Sequence, residues 1–198
     1  MVESGHKARA LIMEGRVIVD GKAVTKSGAL VDEGREIHLH QNPPFVSRGG
    51  YKLAHALDEF GIDVTSKVIA DVGASTGGFT DCLLQRGAKR IYAIDVGYGQ
   101  LDYRLRIDPR VVVMERINAR HPIPIPEKVD LTTLDLSFIS VEKVIPSAMK
   151  LLKEEGFLLV LLKPQFEAKK SQVGKGGVVR APLLHAQILG YFLIWAIV

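Results

Sequence analysis

Apolar positions change their period along this 198-residue chain, and the change divides it in two. Over residues 6–14, Ala10, Leu11 and Met13 stand among helix-forming residues ahead of Gly15, which predicts a helix with a glycine stop. Residues 16–24 read Arg-Val-Ile-Val-Asp-Gly-Lys-Ala-Val and predict two strands joined by an Asp-Gly turn. Residues 36–40 alternate with period two and predict a further strand. The pattern breaks at Gln41-Asn42-Pro43-Pro44, because consecutive prolines continue neither a helix nor a central strand. A boundary is expected there, with a small domain over residues 1–42 and a larger one over residues 43–198.

Beyond the break the spacing becomes that of alternating strands and helices. Leu53, Ala56, Leu57 and Phe60 fall at i, i+3, i+4 and i+7, so residues 48–60 predict an amphipathic helix ended by Gly61. Short runs of Val, Ile and Leu recur at residues 67–72, 90–96, 111–114, 129–134 and 157–162, without clean alternation, as strands buried on both faces require. Helices are expected between them, notably over residues 78–86 and 140–153. That order predicts an α/β fold, a doubly wound, mostly parallel Rossmann-like sheet. Residues 188–198 form an unbroken run of 11 apolar or glycine residues. A bilayer span needs about 20, so a buried helix or strand is expected and membrane association is not.

Composition narrows the class. With 47% hydrophobic and 24% charged residues the chain can fill a core, which excludes disorder over most of its length. A single cysteine, Cys82, permits no internal disulfide, and no charged segment followed by an apolar one opens the sequence, so a cytoplasmic location is expected. The net charge of +4 is unevenly spread: residues 86–120 carry 8 basic and 4 acidic side chains, and residues 163–180 carry 5 and 1. Such a surplus suits a polyanionic partner or is simply a solvated basic face.

One junction carries stronger chemistry. Val68-Ile69-Ala70-Asp71-Val72 runs into Gly73-Ala74-Ser75-Thr76-Gly77-Gly78-Phe79 and then into a predicted helix. Glycines there let the backbone turn sharply and approach a ligand at the sheet edge. Neither G-x-G-x-x-G nor the phosphate-gripping G-x-x-x-x-G-K-[ST] is satisfied, since Ser75 replaces a glycine and Phe79 stands where the lysine belongs. The pattern D-x-G-x-x-x-G-G-F resembles the S-adenosylmethionine loop of class I methyltransferases. Asp95, at the end of the next strand, is placed to accept ribose hydroxyls. Asn118, after the following strand, either faces an adenine or is a surface turn residue.

Asp135 and Lys163 each directly follow an apolar strand, where a charge is costly unless paired. They either close the sheet edge as an ion pair or form a catalytic pair, the lysine taking a proton and the carboxylate orienting it.

Residues 6–40 resemble the later part of the S4 RNA-binding domain, a small and incomplete version of it, with Lys7, Arg9 and Arg16 on its basic side. Ser47-Arg48-Gly49-Gly50-Tyr51-Lys52-Leu53, the turn from Asp71 to Phe79, Asp135-Leu136-Ser137-Phe138 and Lys163-Pro164-Gln165-Phe166-Glu167 together resemble the haemolysin A (TlyA) family. That resemblance implies an S4 domain joined to an FtsJ-like methyltransferase that uses S-adenosylmethionine and modifies ribose 2′-hydroxyls of ribosomal RNA in ribosomal subunits. It implies catalytic roles for Lys52, Asp135 and Lys163, cofactor contacts from Asp71, Gly73, Gly77, Gly78, Phe79, Asp95 and Asn118, and no metal. The family's fourth catalytic residue, a glutamate, has no match here. The expected methyltransferase domain is accordingly a C-terminally truncated one. Lys169, Lys170 and Lys175, interleaved with Gly174, Gly176 and Gly177, suggest a flexible loop that contacts RNA phosphates or has no partner at all. Three other functions stay open: RNA binding without turnover, a small-molecule methyltransferase, and a membrane-active cytolysin, which the family's name suggests but which the sequence, with no span and no basic amphipathic helix, supports little.

Overall fold

The structure, a computed structural model, describes residues 2, 4–13, 17–39 and 44–197. It divides into two compact units, Met1–Pro44 and Phe45–Val198. The predicted stop at Gly15, the basic residue Arg16 and most of the proline-containing break lie outside the described residues.

In the first unit, helix α1 (Gly5–Met13) precedes three short strands, β1 (Val17–Val19), β2 (Lys22–Val24) and β3 (Ile37–Leu39). β1 lies between the other two and is antiparallel to both. The hairpin turns at Asp20 and Gly21, with φ of 45° and 77°. Two successive positive φ values match the right-handed twist of the flanking strands, which is why Asp-Gly serves there. The Asp20 carboxylate accepts from the Glu36 N–H at 3.1 Å and from Arg35 at 2.6 Å, tying the start of β3 to the hairpin.

The second unit opens with α2 (Gly49–Glu59) and then alternates β4 (Val68–Val72), α3 (Gly78–Gln85), β5 (Arg90–Ile94), a short α4 (Tyr103–Arg106), β6 (Val111–Met114) and β7 (Val129–Leu134). A 3-10 turn (Val141–Lys143), α5 (Ile145–Met149), β8 (Leu152–Val160), α6 (Pro164–Glu167), a second 3-10 turn (Lys170–Gln172) and α7 (Pro182–Ile197) complete it. The five strands form one parallel sheet in the order β6-β5-β4-β7-β8.

Side chains alternate between two apolar cores although both faces are buried. Ile69, Ile91, Ala93 and Leu131 meet Leu53 and Leu57 of α2 and Leu83 of α3 on one side. Val68, Ala70, Val72, Ile94 and Leu134 meet Val141, Val144 and Ala148 on the other. The doubly wound expectation holds, with two differences. Residues 140–153 are not one helix: Pro146 lacks the N–H that a helix interior needs and fits only a first turn, so α5 is short and β8 begins at Leu152. The apolar run near residue 188 is helical but not buried. Within α7 only Ile188 is buried, while Tyr191 and Ile194 are exposed. Among the described residues no helix is long and apolar enough to cross a membrane.

β4, the middle strand, contains one charged residue, Asp71, which is wholly buried. Its two oxygens accept from the Thr80 hydroxyl of α3 at 2.6 Å and the Thr133 hydroxyl of β7 at 3.0 Å. Burial pushes its carboxyl up from 3.8 to about 6 against the pull of both hydroxyl bonds, and the nearby Asp135 carboxylate adds to the rise. As pH falls through 6 the folded chain takes this proton first, whereas the unfolded chain waits until about 3.8. Asp71 therefore adds stability as pH drops across that window and withdraws it as pH rises again. Asp71→Asn removes the effect. Thermal unfolding measured between about pH 4 and pH 6.5 should show the wild type losing ground to the variant as pH increases; a constant or widening wild-type advantage contradicts the assignment.

Candidate active site

Parallel strands deliver their carboxyl ends to one edge, and the chemistry predicted from the sequence collects there. At the end of β4 the backbone turns through Gly73 (φ 87°), Ser75 (φ 49°) and Gly77 (φ 97°) into α3. The Gly73 and Ala74 N–H groups donate to the Ile94 carbonyl at 2.8 and 3.1 Å, which holds the turn against β5. A side chain on Gly73 would press into the Asp135 carbonyl at 2.7 Å, and one on Gly77 would collide with Leu105. Glycine is needed at both positions by conformation and by space.

A cavity of about 810 Å³ opens beside this turn. Gly73, Asp95, Asn118 and Asp135 all lie on its wall. The Asp95 carboxylate accepts from the Ser75 N–H at 2.8 Å and the Gly97 N–H at 2.7 Å, so each oxygen keeps a lone pair for a ligand. Asn118 accepts through Oδ1 from the Arg120 backbone at 3.2 Å. A glycine turn without side chains, a carboxylate with spare acceptors and a carboxamide along one wall fit a nucleoside with a free ribose diol.

Four residues expected at the cofactor stand off this wall instead, Gly77 among them, where a side chain would meet Leu105 and Leu101. Asp71 is the buried tie described above, with both oxygens engaged by threonines. Phe79 is 5% exposed and belongs to the core beneath α2. Gly78 abuts α2: a side chain there would run into Ser47 and sit 3.0 Å from the Gly50 nitrogen. These residues shape the turn, because the first turn of α3 points its apolar positions into the core.

Asp135 and Ser137, both on the cavity wall, hold a lysine: Lys163 Nζ lies 2.5 Å from Asp135 Oδ1 and 3.0 Å from Ser137 Oγ. Both charged side chains are about one-fifth exposed. The ammonium meets Oδ1 off the hydrogen-bonding direction, leaving that buried oxygen without a directed partner among the described residues. The pair thus stays polar at a cavity edge, with capacity to hold one more group.

Lys52 does not join them. It is exposed on α2 and forms no ion pair among the described residues. Arg9 is exposed on α1, the Lys7 side chain and Arg16 lie outside the described residues, and Lys169, Lys170 and Lys175 are exposed. The last three flank a turn closed by a bridge between Gly174 and Val178, with φ of 83° and 74° at Gly176 and Gly177. Among the described residues no group of three or more His, Cys, Asp or Glu side chains gathers to hold a metal.

Sequence reasoning missed the aromatic mouth. Phe138 is 91% exposed with φ of 65°, and its ring packs on Phe166 at 5.2 Å, with Lys163 Nζ 5.9 Å from the Phe166 ring. The only signal was a phenylalanine between two serines and an isoleucine directly after a strand, which reads equally well as core.

Comparison with known proteins agrees with this geometry. The FtsJ-like methyltransferase family model matches residues 45–195 and the S4 domain model residues 1–37. The 16S/23S rRNA (cytidine-2′-O)-methyltransferase TlyA of Mycobacterium tuberculosis is 45% identical over 191 residues, covering 94% of this chain and 71% of the relative. Hemolysin A of Brachyspira hyodysenteriae is 45% identical over 195 residues, covering 94% and 79%. A solved structure described as a "putative hemolysin" from Streptococcus thermophilus superposes with a TM-score of 0.77 at 39% identity, over 98% of this chain and 73% of that one. The chain belongs to the FtsJ-like methyltransferase family, in the branch that joins this domain to an S4 domain.

Proposed function

We propose that the chain transfers a methyl group from S-adenosylmethionine to a ribose 2′-hydroxyl of ribosomal RNA. The carrying observation is the Lys163–Asp135–Ser137 cluster set against the cavity beside the Gly73 turn. Membership in the methyltransferase family and the name of the M. tuberculosis relative support the same reading.

In this reading Gly73 and Asp95 hold the cofactor, Asp95 by accepting from the ribose diol, with Asn118 beside the base. When bound, S-adenosylmethionine supplies an electrophilic methyl group. Lys163 Nζ, acting as the neutral amine, is the group placed to take the proton that the 2′-hydroxyl releases as its oxygen bonds the methyl carbon and the carbon–sulfur bond breaks, and Asp135 fixes its direction. Ser137 completes the amine's hydrogen bonding and limits its rotation. Phe138 offers a flat apolar face at the mouth on which a nucleobase can stack, holding the ribose over the pair. Lys52, exposed on α2, serves as an outer cation that positions the hydroxyl or a nearby phosphate. Arg9, Lys169, Lys170 and Lys175 supply phosphate contacts that position RNA without reading its sequence. Such chemistry is mostly positioning, since the attacking oxygen must be held about 3 to 3.5 Å from the methyl carbon.

The test is transfer of labelled methyl to ribosomal subunits, followed by nuclease digestion to locate the label. Lys163→Ala should lower the rate roughly a hundredfold or more, the scale of a lost general base, while S-adenosylmethionine affinity stays within about threefold. Equal incorporation by both proteins, or label on a base, overturns the assignment.

Phe138→Ala removes the stacking face without touching the charged pair. It should reduce kcat/KM for RNA roughly tenfold, the scale of one lost base–aromatic stack, and leave cofactor binding unchanged. Unaltered kinetics with RNA would remove Phe138 from the substrate path.

A further inference from the structure

The segment 163–180 holds a single acidic residue, Glu167, among five basic ones. Among the described residues its carboxylate pairs with none of them. Instead Oε1 accepts from the Val141 N–H at 3.0 Å, across 26 residues of sequence. Val141 opens the 3-10 turn after β7, and the Ser140 hydroxyl takes the next N–H, that of Glu142, at 3.3 Å. Glu167 therefore supplies one of the two caps on that turn.

The position of these contacts matters more than their number. Ser137 is held by Lys163, Phe138 by Phe166 and Val141 by Glu167. Every one of these ties from residues 137–141 runs to the five-residue stretch 163–167. Pro164 starts α6 there, so Lys163, Phe166 and Glu167 are fixed relative to one another by one helical turn. Between the two anchored ends lies Phe138, whose positive φ is strained for a bulky side chain and persists only if its surroundings over-determine it.

We propose that Glu167 is a positioning residue: its carboxylate clasps the loop after β7 to the turn after β8 and so keeps Ser137, Phe138 and Lys163 in working alignment. This rests on the methyl-transfer reading above and adds to it a residue that touches neither substrate nor cofactor. A hydrogen bond to a backbone N–H needs an acceptor and not a charge, which separates this role from proton handling or from holding a cation. Glutamine keeps the acceptor; alanine does not.

The experiment uses the full chain as wild type, Glu167→Gln and Glu167→Ala. Three quantities are read: single-turnover methyl transfer to ribosomal RNA, S-adenosylmethionine affinity by calorimetry, and amide hydrogen exchange over residues 137–143. Glu167→Ala should slow transfer roughly tenfold or more, the scale of a misplaced reacting group, with cofactor affinity within about twofold. Exchange at the Val141 amide should accelerate roughly fivefold or more, as expected for a lost cap. Glu167→Gln should restore both to near the wild-type values. The proposal is overturned if alanine leaves transfer and exchange unchanged, if glutamine is as slow as alanine, or if alanine loses cofactor affinity in step with rate. Should the wild type transfer no label to RNA, the methyl-transfer reading falls. The exchange data then decide the clasp alone: faster in alanine and restored in glutamine supports it, and no difference sinks it.

Discussion

Parallel register is the constraint from which the rest of the second unit follows. Val72 pairs with Ile94 on one side and Leu134 on the other, and Leu134 pairs with Val160. Because neighbouring parallel strands advance together, the residue after each of those partners emerges at the same edge. Those residues are Gly73, Asp95 and Asp135, and Lys163 follows two residues beyond the Leu161 N–H that still bonds the Leu134 carbonyl at 2.9 Å. A turn, two carboxylates and an amine, spread over 90 residues of sequence, are brought to one edge by strand pairing alone. The order reversal between β5 and β7, on either side of β4, opens the crevice in which open α/β sheets hold ligands.

Burial then decides what each polar residue can do. Asp71 and Asp135 both come from the sheet's centre, but one lies a residue inside β4 and the other a residue past β7. The first is sealed, satisfied by two hydroxyls, and acts as a tie between β4, α3 and β7. The second keeps an oxygen beside an amine at the cavity wall. An ion pair at such an edge contributes little stability once desolvation is counted.

The succession of strands and helices and the glycine turn were legible in the sequence because they rest on long-range periodicity and on residues with few alternative uses, whereas the order of strands in the sheet was not. The 3.6-residue spacing of Leu53, Ala56, Leu57 and Phe60 has one reading, and α2 is where it says. Helix extent was less legible after residue 140, since helix-forming side chains there surround Pro146 and propensity alone does not price its missing N–H. At the site, Asp95, Asp135 and Lys163 stood out as charges ending apolar runs. Phe138 did not, because an aromatic in an apolar stretch is ordinarily core, and only its backbone conformation and exposure distinguish it. Asp71 and Phe79 were legible as members of the motif but not as buried ones: sequence proximity to a turn does not say which side of the wall a side chain faces. Residues 188–198 read equally as a buried helix or a buried strand; up to residue 197 they are helical and, Ile188 apart, not buried, since uniform apolarity carries neither a period nor a face.

Backbone strain gives an independent sign of where side chains are needed. Among the described residues five that are not glycine adopt positive φ: Asp20, Ser66, Ser75, Arg116 and Phe138. Each is held at a cost of about 1 to 3 kcal/mol that glycine would largely avoid. Asp20 uses its side chain to hold β3, and nothing in the structure explains that of Ser66. The other three lie just past β4, β6 and β7, at the edge that carries the cavity. Arg116 lies over the Tyr98 ring at 4.4 Å, Phe138 packs against Phe166 with the rings tilted by 51°, and Ser75 donates its N–H to Asp95. Two of these three positions therefore present exposed planar groups, and Ser75 and Phe138 line the cavity while Arg116 directly precedes Ile117 on its wall. Replacing Arg116 or Phe138 by glycine would relieve that cost and also remove the planar group each presents. Among the described residues, three of the four such positions in the second unit thus stand in loops at the cavity edge, on a scaffold held in place by the parallel core.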